Sequence, residues 1–154
     1  MRIPFAICAA VLLCPAPAAA QDVSAANPKS IVQAMQAHGF AVEASRDEDG
    51  SPLLTSRTSD SNFEVYFYGC TSGTACESLE FWAGYRLEVP VSAKVMNDWN
   101  RDKRFATAFV NGDGNPGIRM DLIAPGAGIS RESFALTLDF WRLQVEEFED
   151  LINW

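Results

Sequence analysis

Histidine, basic charge and long apolar runs are scarce in this chain of 154 residues, and each scarcity removes a class of function. His38 is the sole histidine. Zinc needs several nitrogen, sulfur or carboxylate ligands at matching spacing, and none accompanies it. No serine or cysteine nucleophile with a recognisable motif stands with it either. Its place just before a helix stop suits contact with the terminal carbonyls of that helix. Lysine and arginine number 12 against 20 acidic residues, a formal charge of −8. Such an excess repels phosphate backbones and anionic lipid surfaces, which argues against nucleic acid and peripheral membrane binding. No segment after residue 20 is apolar enough to span a bilayer, which takes about 20 residues. Internal repeats and low-complexity linkers are absent too.

What is present begins with a leader. Arg2 precedes an apolar stretch from Ile3 to Leu13, and Pro15, Pro17, Ala18, Ala19 and Ala20 lead to Gln21 and Asp22. This is the order of a cleaved secretory signal, with cleavage expected after Ala20. Cys14 raises a lipoprotein reading, but Leu13 stands where such a signal wants Gly, Ala or Ser. Residues 1–20 are therefore read as a signal peptide, 21–26 as a flexible leader and 27–154 as one domain. Loss of Arg2 takes the charge to −9, and a periplasmic or secreted protein is expected. Cys8 and Cys14 leave with the signal. Cys70 and Cys76 remain, and an even pair in an exported chain reads as a disulfide.

Along the domain, Asn27 and Pro28 start a helix over 28–38 that Gly39 stops. Strands over 40–46 and 52–58 flank an acidic turn at Asp47, Glu48, Asp49 and Gly50. The next pair carries more information. In 62–70, Phe63, Val65 and Phe67 share one face, opposite Glu64, Tyr66, Tyr68 and Cys70. In 76–85, Leu79, Phe81 and Ala83 share a face, opposite Ser78, Glu80 and Trp82. If Cys70 sits across from Cys76, Phe67 pairs with Leu79 and Val65 with Phe81. The register that a disulfide requires thus gathers the apolar residues on one face, and a one-residue slip would invert it. A helix capped by Ser92 carries Val95, Met96 and Trp99 and ends near Lys103. Strand 104–111 sets Phe105, Thr107 and Phe109 on one face. After a turn, Ile118, Met120 and Leu122 return the same kind of face. Ser130 caps a last helix whose Phe134, Leu138, Trp141, Val145, Phe148 and Ile152 form a continuous apolar stripe.

Two further constellations resolve into ordinary structure, and a third stays open. Gly126 and Gly128 lie between a strand and a helix, but a dinucleotide fingerprint needs glycine where Arg131 stands. Asn111, Asp113 and Asn115 invite a calcium loop, but Pro116 and Leu122 occupy the positions that need glycine and glutamate. Together with Asp47–Asp49 they read as turns. Tyr66, Tyr68 and Trp82 share the disulfide-bearing face of the central hairpin, either as an exposed partner patch or as a second core face under a helix.

Tyr66 to Cys70, Trp99 and Asn100 followed by Arg104 and Phe105, the Gly112–Gly114 turn, and Leu138 and Asp139 with Trp141 and Phe148 together resemble the YbjN-domain proteins. The resemblance runs in order over residues 28–152. It implies a fold similar to type III secretion chaperones, which are small, often dimeric, and grip extended partners. It also implies a regulatory or binding role, with no catalytic residues to carry over. Gly117 departs from the expected strand pattern.

The expected fold is α+β, an antiparallel sheet with helices mainly on one face in the order α-β-β-β-β-α-β-β-α. The expected function is that of an exported, non-catalytic protein-interaction module, chaperone-like or regulatory, with a polypeptide partner and a homodimer in view. Its candidate surface is Tyr66, Tyr68, Trp82, Trp141 and Phe148. The alternative is a small-ligand or cell-envelope binding domain using the aromatic face around Tyr66 and Trp82. No cofactor or metal is expected.

Overall fold

Residues 22–154 are described by the computed structural model, so the signal read over residues 1–20 lies outside them. Helix α1 (Pro28–Ala37) places proline in its first turn, where a missing N–H costs nothing. At its end the Gly39 N–H donates to the Gln36 carbonyl and the Phe40 N–H to that of Met35, with Gly39 at φ +92°. This glycine-dependent cap uses Phe40 to close the helix. Strand β1 (Val42–Arg46) consequently starts two residues later than alternation suggested.

Strand β2 (Pro52–Thr58) returns from the acidic turn, and β3 (Ser61–Tyr68) pairs with β4 (Ser78–Gly84). Phe67 opposes Leu79 and Val65 opposes Phe81, the register in which apolar faces and cysteines agree. Cys70 and Cys76 are joined across the connecting loop. Helix α2 (Ala93–Asp102) then carries the chain to β5 (Thr107–Val110), and β6 (Pro116–Ile123) folds back between β4 and β5. The sheet order is β1-β2-β3-β4-β6-β5, antiparallel at every pairing.

Helix α3 (Arg131–Ile152) begins where the Ser130 hydroxyl accepts the Ser133 N–H at 3.0 Å. All six residues of its expected stripe are buried. Trp141 sits 5.7 Å, centroid to centroid, from both Phe63 and Phe81. Trp99 of α2 meets Phe148 edge-on at 5.4 Å, which joins α2 to the same core. Ile31 and Met35 of α1 complete it. The architecture is α+β in the expected element order, with its core between the helices and one sheet face.

Two local readings change. The segment read as a loose leader is tied down from Val23 onward. Val23 exchanges backbone bonds with Ile129, the Ala25 N–H donates to Ala124, and the Ser24 hydroxyl donates to Pro125. In β5 the core side is Ala106 and Ala108, whereas Phe105 and Thr107 are exposed and Phe109 is half-buried. Pairing sets this: Ala108 lies opposite buried Ile118, and Thr107 and Phe109 lie opposite Arg119 and Gly117, while Phe105 at φ +72° falls before the extended run. The Asn100 side chain then accepts the Ala108 N–H at 2.8 Å and donates to its carbonyl at 3.0 Å, fixing which way β5 faces.

Candidate functional site

The period of two in each strand sends alternate residues away from the helices. On that outer face lie Tyr66 and Tyr68 of β3, Glu80 and Trp82 of β4, and Arg119 and Asp121 of β6, flanked by Leu53 and Phe109. No described helix packs on it. The structure divides the five expected surface residues accordingly. Tyr68 is 49% exposed and Tyr66 and Trp82 are half-buried on the open face. Trp141 and Phe148 are wholly buried beneath α3 and present nothing to a partner. Their stripe has to pack on Phe63, Phe81 and Trp99, because those large rings leave no other cover for the sheet.

The open face pairs aromatic rings with carboxylates. Tyr66 donates its phenol proton to Glu64 at 2.5 Å, and Tyr68 donates to Glu80 at 3.4 Å. Partial burial pushes both phenols upward in pKa, and the carboxylates reinforce the shift. Glu80 lies directly across from Asp121, a like-charge placement that destabilises a sheet. Burial first, and then Asp121, raise the Glu80 pKa, while Arg119 at 3.6 Å and the Tyr68 hydroxyl oppose the rise.

The position of Gly117 has its reason here. It pairs with Gly84, and a Cβ on Gly117 would come within 2.4 Å of the Phe109 ring. A Cβ on Gly84 would likewise come within 2.3 Å of the Trp82 ring. The two glycines let both rings fold down onto the sheet, 6.4 Å apart, with the Arg119 guanidinium 5.9 Å from the Phe109 ring. Beside them is a hollow of about 240 Å3 that also reaches Arg86, Asn111 and Asn115. A second hollow of about 460 Å3 runs from Tyr66 and Tyr68 to the acidic turn at Asp47, Glu48 and Asp49. Flat rings beside carboxylates suit cations and the planar groups of a polypeptide.

Sequence reasoning grouped Phe109 with Phe105 and Thr107 on one strand face but did not include it in the candidate surface. It also missed a second stripe on α3, where Leu136, Phe140, Leu143 and Leu151 are exposed and the Phe105 ring meets that of Phe140 at a tilt, 4.8 Å between centroids. Their spacings of four, three and eight were available as a signal, but the inner stripe masked them. The remaining motifs are structural. His38 Nε2 is 2.7 Å from Asp139 and ties α1 to α3. The Asn111 side chain accepts the N–H groups of Asp113 and Asn115, and Asp47 accepts those of Asp49 and Ser51. Among the described residues no group of three or more His, Cys, Asp or Glu is placed to hold a metal ion. No described helix is long and apolar enough to cross a membrane.

No curated protein matches the sequence. A family model does, over residues 27–154, that of YbjN, described as "putative bacterial sensory transduction regulator". With the match covering every element from α1 to α3, the chain belongs to the YbjN family.

Proposed function

We propose that this protein is an exported, non-catalytic interaction module, regulatory or chaperone-like, that binds a polypeptide partner through the open face of its sheet. The uncovered row of Tyr66, Tyr68 and Trp82 carries the reading, since such rings are enriched at protein interfaces. The carboxylates beside them, Glu64, Glu80 and Asp121, favour a partner segment bearing lysine or arginine. The family description supports a regulatory role, and the leader-like N-terminus with the Cys70–Cys76 bridge supports export.

The test is affinity capture from the cell-envelope fraction with the tagged protein and its Tyr68→Ala and Trp82→Ala variants. One recurrent polypeptide, held by the parent and lost from both folded variants, is the expected result. Equal capture by all three would overturn the reading. Light scattering of the purified protein decides whether it works as a homodimer.

A second reading has its own observation. Trp82 and Phe109 lying flat over paired glycines form a floor on which a small planar or cyclic envelope component could stack. Thermal-shift screening of soluble envelope fragments distinguishes it: a stabilising fragment whose effect vanishes in Trp82→Ala favours the small ligand.

A further inference from the structure

The two edges of the sheet are treated differently. At β5 the Asn100 side chain bonds both backbone groups of Ala108, so that edge is occupied by α2. At β1 no described strand or side chain does the same: β1 pairs with β2 alone, and Glu43 through Arg46 are exposed. An edge of unpaired N–H and C=O groups is a template for one more strand.

The core arrives unfinished at this edge. Ala44 opposes Leu54, Leu54 opposes Val65, Val65 opposes Phe81 and Phe81 opposes Met120, a single apolar row across five strands. Its inner members are buried, but it ends on the small, exposed side chain of Ala44. There a groove of about 420 Å3 opens between α1 and the hairpin, with Val32, Pro28, Pro52 and Leu54 as its apolar lining. Its polar rim includes Lys29 and Arg46 and contains no acidic residue, in a chain whose net charge is −8. Arg46 is held by the carbonyl oxygens of Gly50 and Gly73, which position its guanidinium without neutralising it.

We propose that β1 receives an extended partner segment as a seventh strand. An aliphatic side chain of that segment continues the Ala44–Leu54–Val65 row into the groove, and a carboxylate meets Lys29 and Arg46. Backbone pairing supplies affinity, while the groove and the cations select the sequence. The groove shares Arg46 with the hollow beside Tyr66 and Tyr68 but none of the open face's aromatic rings, and the inference stands whether or not that face binds anything.

The experiment uses the protein purified from a host expressing the full reading frame. The probe is a fluorescent peptide, acetyl-Ser-Val-Thr-Val-Thr-Asp-amide. Controls replace its aspartate by lysine or methylate one valine amide nitrogen. Saturable binding is expected, with NMR shift changes confined to α1, β1 and β2. N-methylation should weaken it at least about tenfold, because the ladder cannot form. Lys29→Glu should weaken it about fivefold and favour the lysine peptide, as an exposed ion pair allows. Ala44→Phe fills the groove from an exposed strand position, so the folded variant should lose binding. Several results would overturn the proposal: no saturable binding, indifference to N-methylation, unchanged binding to Ala44→Phe, or shift changes centred on Tyr66 and Trp82. Dimerisation abolished by Ala44→Phe without peptide binding would overturn it too, assigning the edge to a second copy.

Discussion

Reducing the Cys70–Cys76 bridge tests how the central hairpin is held. The cysteines are six positions apart, and closing so short a loop removes about 2 kcal/mol of unfolded-state entropy at 25 °C. A domain of roughly 130 residues has an unfolding entropy of about 0.3 kcal/mol per kelvin, so the bridge is worth about 7 °C in Tm. The loop itself works against part of this. Ser72 and Ala75 lie at φ +49° and +50°, each costing about 1 kcal/mol in a residue with a Cβ. If reduction lets one of them relax, the fall shrinks to about 3 °C. Calorimetry of the protein with and without reductant measures it, since both sulfurs remain and only the cross-link changes. Circular dichroism at 25 °C should stay unchanged, because Phe63, Val65, Leu79 and Phe81 are buried independently of the bridge. A fall below about 1 °C would refute the loop-entropy account. Unfolding at room temperature would show instead that the bridge holds the sheet itself together.

Other perturbations separate the same forces. Ala75→Gly should raise stability by about 0.5 kcal/mol in denaturant titration, as left-handed strain outweighs the added chain freedom. Trp141→Ala, which opens a cavity between Phe63 and Phe81, should cost about 3–5 kcal/mol, whereas Tyr68→Ala should cost under about 1 kcal/mol. Glu80 has a folded-state pKa raised above 4.5 by burial and Asp121, so its protonated form is the one folding favours. Its contribution is present below the unfolded value and lost as pH rises through the folded one. Glu80→Gln should therefore melt higher than the parent at pH 7, with the difference vanishing towards pH 4.

Most of the fold was legible because two periodicities ran undisturbed. The period of two in β3 and β4 and the three-four spacing of α3 each matched a buried face. Misreadings occurred where one backbone angle or a distant contact decided the outcome. Phe105 looked like a member of one strand face with Thr107 and Phe109, but its positive φ leaves it outside β5, and the pairing of Ala108 with Ile118 turns the alanines inward. Trp141 and Phe148 looked suited to a partner because a stripe shows what a helix buries, not against what. Gly117 looked anomalous until the Phe109 ring above it was in place. The aromatic outer face was legible as a composition. Its lack of cover was not, since that depends on all three helices packing on the opposite side.

The claim that the open face binds a polypeptide is tested most directly by a photo-cross-linking amino acid installed at single positions in living cells. Position 68 lies on the open face, and position 136, equally exposed on the outer side of α3, serves as control. A discrete adduct with one envelope polypeptide from position 68, absent from 136, is the predicted result. Adducts from position 136 alone, or none from 68 while the protein is folded and abundant, would contradict it.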